Sequence, residues 1–219
     1  MDIEEIKVNL TEVDFQRRLK AIAALKAHDA DVAVPLLISK KRDPEFLVRS
    51  FVAMGLGKQL TAESFATLLE MMQFDRDTNV QSQAADSLSL FGQVALPYLV
   101  TTFHQNKNWL VRLSILAAIA EMGCPNELLE VCVAAFSDQD LPVQESAVET
   151  LAFLKGTNQQ QAALSHLVKL ASSESAPIRI RVATTLKQFD DPEAKATLAQ
   201  LRQDSDHQVV AAALEDLIS

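Results

Sequence analysis

The chain has 219 residues, nearly half of them hydrophobic, so it can bury a substantial core, and with only five glycines and seven prolines it favours helix over sheet. A formal net charge of −9 argues against binding a phosphate backbone, which needs an excess of Lys and Arg, so no nucleic-acid partner is expected. The acid is uneven: Lys and Arg number 12 against 14 Asp and Glu over residues 1–110, and 8 against 15 over residues 111–219.

The opening "MDIEEIKVNL" is acidic and does not resemble a signal peptide. The longest apolar run, "NKNWLVRLSILAAIAEMG" (106–123), is broken by Arg112 and falls short of the ~20 residues that span a bilayer. No membrane role is expected. Two cysteines, Cys124 and Cys132, make neither a disulfide framework nor a zinc site, so no metal and a reduced, cytoplasmic setting are the plain expectation.

Along the chain one pattern returns. A degenerate first copy runs Arg17, Ala21, Leu25; the second is Val48, Val52, Leu56; the third Val80, Ala84, Leu88. The fourth is Val111, Ile115, Ile119, the fifth Val143, Ala147, Leu151, the sixth Ile178, Val182, Leu186 and the seventh Val209, Ala213, Leu217. The first members fall at 17, 48, 80, 111, 143, 178 and 209, a spacing of 31 or 32 residues with one step of 35 around "SSESAP" (172–177). Residues four apart stack along one helix face, so each triplet marks a buried stripe. Ahead of each stand polar residues suited to start a helix: Asp14, Glu45, Asp77, Asn108, Asp140, Ser175 and Asp206. Gly92, Gly123 and Gly156 follow three of the helices where a left-handed cap is wanted, and the prolines are read as lying only at edges of the pattern. A second amphipathic segment completes each unit, as in "SFATLLEMMQ" and "ALPYLVTTF".

The unit is therefore a helix pair of about thirty residues, repeated seven times. A lone pair cannot bury its stripe, so the copies are expected to stack into an all-α fold, an α-solenoid, with residues 1–219 as one domain.

"DPEFLVRSFVAMGLG" (43–57) and "APIRIRVATTLKQFDDPEAKATLAQLRQD" (176–204) resemble the HEAT-like repeat of phycobilisome bilin lyases of the E/F type. The repeat covers essentially the whole chain; it is specific for the architecture and much less so for function. Compact size and acidic balance are similar to the cyanobacterial members, which include lyase subunits that attach or remove phycocyanobilin and a phycobilisome-degradation factor. The resemblance implies a phycobiliprotein subunit as partner and phycocyanobilin as ligand, with a second repeat subunit as a further candidate partner.

Signals for an enzyme are sparse. The chain has no Gly-rich phosphate loop, no G-x-S-x-G elbow and no H-E-x-x-H helix. Its four histidines precede Asp29, Gln105, Leu167 and Gln208, so the His-Glu iron ligands of the helical-repeat deoxyhypusine hydroxylases are missing. Cys124, just after Gly123, is either an exposed thiol able to hold a bilin or an ordinary turn residue. Cys132, in "LLEVCVAAF", reads as core. His104 is placed to donate to a tetrapyrrole propionate or to be a solvated histidine. The "KKR" run, 40–42, either meets an acidic partner or is a solvated loop. Arg18, Arg49, Arg112 and Arg179 each follow the first residue of a triplet, with Gln81 and Gln144 at the same place in repeats three and five. They are read either as a ladder of exposed pairs with acids such as Asp77 and Asp140, or as ligand contacts, Arg49 and Arg112 above all.

The ridge two residues before, two after and six after each first member should be polar in a purely structural repeat. Repeat one instead carries Phe15, Leu19 and Ala23; repeat two Phe46, Ser50 and Met54; repeat four Trp109, Leu113 and Ala117. Repeats three and five are conventional, and repeat seven reads His207, Ala211, Glu215. Anchor helices of such solenoids usually line the concave surface, so Phe15, Leu19, Phe46, Met54, Trp109 and Leu113 are expected to form a groove for a partner or ligand. The competing reading packs these side chains on neighbouring repeats, or under residues 1–12 folded over repeats one and two. Two functions compete for the groove: holding a phycobiliprotein subunit or its bilin, or acting as a non-catalytic adaptor that grips a partner helix or peptide.

Overall fold

In a computed structural model, which describes residues 1–214, the chain is all-helical and forms an α-solenoid of fourteen α-helices, with no strand among the described residues. Leu217 and Glu215, expected to close the seventh stripe and ridge, lie outside the described residues. The chain forms two compact units, Met1–Ala118 and Ile119–Ser219, whose boundary falls within one helix. None of the described helices is long and apolar enough to cross a membrane.

The first unit contains α1 (Ile3–Leu10), α2 (Phe15–Ala24), α3 (Ala30–Ile38), α4 (Phe46–Gly57), α5 (Ala62–Phe74), α6 (Thr78–Ser89), α7 (Leu96–Gln105) and most of α8 (Trp109–Glu121). Anchor helices α2, α4 and α6 pack in succession, while α3 and α5 form the second layer against α4 and α6. The triplets of repeats two to four are fully buried, as the 3.6-residue period requires. Repeat one departs from the pattern. Ala21 and Leu25 are buried, but Arg17 is exposed and pairs with Glu12 at 3.1 Å. Helix α1 packs against α2 and contributes Ile6 and Leu10 to the core.

The second unit contains α9 (Pro125–Ala135), α10 (Leu141–Thr150), α11 (Gln160–Leu170), α12 (Ala176–Leu186), α13 (Pro192–Leu201) and α14 (His207–Leu214). Here α10, α12 and α14 pack in succession, with α9 on α10, and α11 and α13 on α12.

Capping follows the sequence in most repeats. The side chains of Asp14, Asp77 and Asp206 accept the backbone N–H groups of Gln16, Asn79 and Gln208, and Asn108 accepts that of Leu110. Glu45 and Ser175 occupy the cap position without such a bond. Gly92, Gly123 and Gly156 have φ of 67°, 68° and 75°, where a Cβ would be strained. Prolines are not confined to edges: Pro35 sits inside α3, where it removes one backbone donor from a short helix.

The approach of α4 to α6 is set by Gly57. A Cβ there would stand 2.7 Å from Ser87 Cβ and 3.1 Å from Ser87 Cα, which is backbone and cannot rotate away. At Gly55 the near atom is instead the end of the Leu37 side chain, at 2.9 Å. Gly57→Ala is therefore expected to destabilise by about 1–3 kcal/mol through overpacking, and Gly55→Ala by less, because the Leu37 methyl yields. Urea unfolding of the two variants checks this, and equal midpoints would rule it out.

Candidate functional site

The first ridge residue of α2, α4 and α8 opens its helix, so Phe15, Phe46 and Trp109 each stand at the entrance of an anchor helix. Trp109 is 44% exposed, Phe46 38% and Met54 39%, whereas Phe15, Leu19 and Leu113 are half-buried. Because α2 packs on α4, the ridges of repeats one and two lie on adjacent helices. Met54 also lines an apolar cleft of about 170 Å³ with Ile22, Leu25, Leu37 and Phe51, and Lys26 and Lys58 are among its lining residues. That volume is well below the roughly 300–1,000 Å³ of sites that enclose small molecules. It suits one inserted side chain, not a tetrapyrrole. A bilin held here would have to lie on the open ridge.

The arginine series is a buried ladder. Arg18 donates through Nε and Nη2 to both oxygens of Asp43, at 2.8 and 2.9 Å. Arg49 does the same to Asp75, at 2.8 Å for both bonds, and Arg179 to Asp204, at 2.7 and 2.9 Å. In each arginine Nη1 turns back to backbone carbonyls at the start of its own repeat, such as Asp43 O for Arg49 and Ser173 O for Arg179. Gln81 keeps part of this pattern with neutral groups: it donates to Asp75 O and accepts from Asn106 Nδ2. Two corrections follow. For Arg18, Arg49 and Arg179 the forked partners are Asp43, Asp75 and Asp204, two residues before the capping position, and the pairs are largely out of solvent, with Arg49 and Asp75 side chains only 4% and 6% exposed. The missed carboxylates had a signal. Five residues before the first members of repeats two to seven the sequence reads Asp43, Asp75, Asn106, Asp138, Ser173 and Asp204, a series as regular as the arginines.

Charge follows from this geometry. Asp75 raises the Arg49 pKa through its hydrogen bonds, and Arg179 holds the Asp204 carboxyl below the ordinary carboxylate range for the same reason. A depressed folded-state pKa gives stability that is complete above about pH 4, the unfolded value, and is lost as pH falls through the folded value. Asp204→Asn is therefore expected to flatten the fall in melting temperature on acidification below about pH 4. An unchanged acid limb would show that this pair contributes nothing.

The remaining candidates divide sharply. Arg49 has its guanidinium committed to Asp75 and two carbonyls, and Arg112 is buried with Nη1 donating to Asn106 O at 2.9 Å, so both serve the fold where they stand. Cys124 is buried, which sets aside the exposed-thiol reading and leaves that of an ordinary turn residue: the turn after Gly123 folds it inward. Cys132 is core, and burial pushes its thiol up to about 12. His104 is exposed, edge-on to Phe103 with ring centroids 5.7 Å apart. The "KKR" loop is not simply solvated, since Lys41 and Arg42 both reach Glu70. Among the described residues no cluster of three or more His, Cys, Asp or Glu is arranged to hold a metal.

The HEAT-repeat family model matches residues 9–89, 34–120 and 129–218. The sequence matches no curated protein. Among solved structures, the chain is similar to the YibA protein of Escherichia coli, with a TM-score of 0.65 at 17% identity over 97% of this chain and 80% of that one. It is also similar to the complex of CpcE and CpcF of phycocyanin lyase from Nostoc, with a TM-score of 0.56 at 17% identity over 99% and 95% of the two chains. At such identities the likeness concerns the fold. On the family match, which covers most of its length, the chain belongs to the HEAT-repeat proteins.

Proposed function

We propose that this chain is a repeat scaffold, folded as a single domain over residues 1–219, that holds a phycobiliprotein subunit, or the phycocyanobilin it carries, against the ridge of repeats one to four. In this role it assists bilin attachment, bilin removal or phycobilisome turnover in the cytoplasm of a cyanobacterium, alone or with a second repeat subunit. The observation that carries the reading is the exposed Trp109, Phe46 and Met54 on anchor helices, where repeat three instead carries Thr78, Ser82 and Asp86 and repeat five follows Leu141 with Glu145 and Glu149. Exposed aromatic and sulfur-bearing side chains are the usual anchors of a binding surface. Likeness to the CpcE–CpcF complex supports the choice of client.

Burial of Cys124 and Cys132 favours holding over chemistry by this chain, because neither thiol is presented to a bilin. Any reaction would then draw on placement of the tetrapyrrole beside a cysteine of the client. The second reading, a non-catalytic adaptor that grips a partner helix or peptide, is favoured by the small apolar cleft beside Met54, which is sized for one side chain.

Adding phycocyanobilin to the purified chain and recording the visible spectrum separates the two. A shifted absorbance that disappears in Trp109→Ala supports a bilin site. An unshifted spectrum, with capture of an apo-phycobiliprotein subunit, supports holding of the client alone. Neither result, with a different protein captured through the same ridge, supports the adaptor.

A further inference from the structure

A second cleft, of about 360 Å³, lies in the first unit between the turn leading into α4 and the turn leading into α6. Neither Phe46, Met54 nor Trp109 lines it. Its volume falls in the range of roughly 300–1,000 Å³ that accepts ligand-sized groups. Four cations line it, Lys41, Arg42, Arg49 and Arg76, together with three anions, Asp43, Glu70 and Asp75.

Pairing within the ladder changes that balance. Asp43 is taken by Nε and Nη2 of Arg18, and Asp75 by Nε and Nη2 of Arg49. Lys41, Arg42 and Arg76 then face a single carboxylate, Glu70. Arg76 is fixed toward the turn at Pro44, to whose carbonyl it donates at 2.8 Å, and the Arg42 side chain is 85% exposed. Between these charges stand Met71 and Phe74, and Phe74 is 77% exposed. A surplus of cations around a solvent-facing phenyl ring is unusual on a chain of net charge −9. Arginine forks match carboxylates geometrically, and a ring beside them offers an apolar contact.

We propose that this cleft docks an acidic segment of a partner protein, with its carboxylates on Arg42 and Arg76 and a neighbouring aromatic or large aliphatic side chain on Phe74. The occupant is complementary in charge to the cleft, and it needs both chemistries at once. The inference does not rest on the ridge, and its test spares Phe46, Met54 and Trp109, so either reading can fail alone.

The experiment titrates the full chain into a fluorescein-labelled peptide, Glu-Glu-Asp-Phe-Glu-Glu, and follows anisotropy. Saturable binding is expected, weakened by about tenfold or more in Arg42→Glu/Arg76→Glu. It should weaken several-fold in Phe74→Ala or when the peptide Phe is replaced by Ala, and stay unchanged in Lys20→Glu, an exposed cation on α2 that does not line the cleft. The neutral pair Arg42→Gln/Arg76→Gln, with an unchanged melting curve, keeps the test decisive should charge reversal disturb the fold. Absence of saturable binding, or equal binding by the variants, would overturn the proposal. So would displacement of the peptide by tripolyphosphate with no dependence on either phenyl ring, which would mark a simple anion site. Self-association of the chain that the same arginine variants abolish would assign the cleft to a second copy instead.

Discussion

Replacing Arg49 with methionine is expected to lower the unfolding free energy by about 3–5 kcal/mol, the usual cost of removing one partner from a buried ion pair. Methionine fills much of the aliphatic stem's volume, so little of the loss comes from packing. The loss comes from Asp75, whose side chain is only 6% exposed and is left without its two guanidinium bonds. The Asp43 carbonyl loses its Arg49 donor as well, while that of Pro44 keeps Arg76. Asp75 still accepts the backbone N–H of Asp77, which does not offset a buried charge. Adding Asp75→Asn should restore part of the stability, since the neutral amide keeps an acceptor for Asp77 and removes the stranded carboxylate. Chemical denaturation of both single variants and the double variant measures the coupling. A loss under about 1 kcal/mol, the range of exposed pairs, would mean that water reaches the ladder and screens it. In a stack where each repeat leans on its neighbours, protection of α4 and α6 amides should fall before that of α12 and α14.

If the ridge holds the proposed phycobiliprotein client, Trp109→Ala is expected to weaken that binding by about 30-fold, or roughly 2 kcal/mol, the threshold for an interface hot spot. The indole opens α8 and is 44% exposed, so its removal should leave the melting temperature nearly unchanged while removing a large anchor. Phe46→Ala should act in the same direction, with a smaller effect because the ring is smaller. Isothermal titration with an apo-phycobiliprotein subunit, or with phycocyanobilin, reads the difference. Equal affinity in the Trp109 variant would remove the ridge as the binding surface.

The repeat was legible because two periods coincide in it. A stripe of residues four apart fixes a helix face, and its return every 31 or 32 residues fixes the number of anchor helices. Val48, Val80, Val111, Val143, Ile178 and Val209 are all buried as that pattern demands. Arg17 escaped it because the first repeat has α1, not a preceding repeat, on its outer side, and α1 brings Ile6 and Leu10 to the core.

The ladder was half legible. The arginines are visible at one place in the repeat, but the acids expected to pair with them are not the carboxylates that take the forks of Arg18, Arg49 and Arg179. Asp43, Asp75 and Asp204 belong instead to the turn of the following repeat, about 25 residues on, and only packing brings them to the guanidinium. Burial of Cys124 was likewise a matter of which way a single turn folds, which spacing does not encode. The cleft of Lys41, Arg42, Arg76 and Phe74 gathers residues from two turns some thirty positions apart, and no local pattern joins them. The sequence by itself determined the helices, their order and the faces they bury, because those follow from short-range periodicity and burial of apolar stripes. Tertiary structure alone decided which charges neutralise one another and which are left facing water, because electrostatic pairing depends on distances across repeats that no stretch of chain specifies.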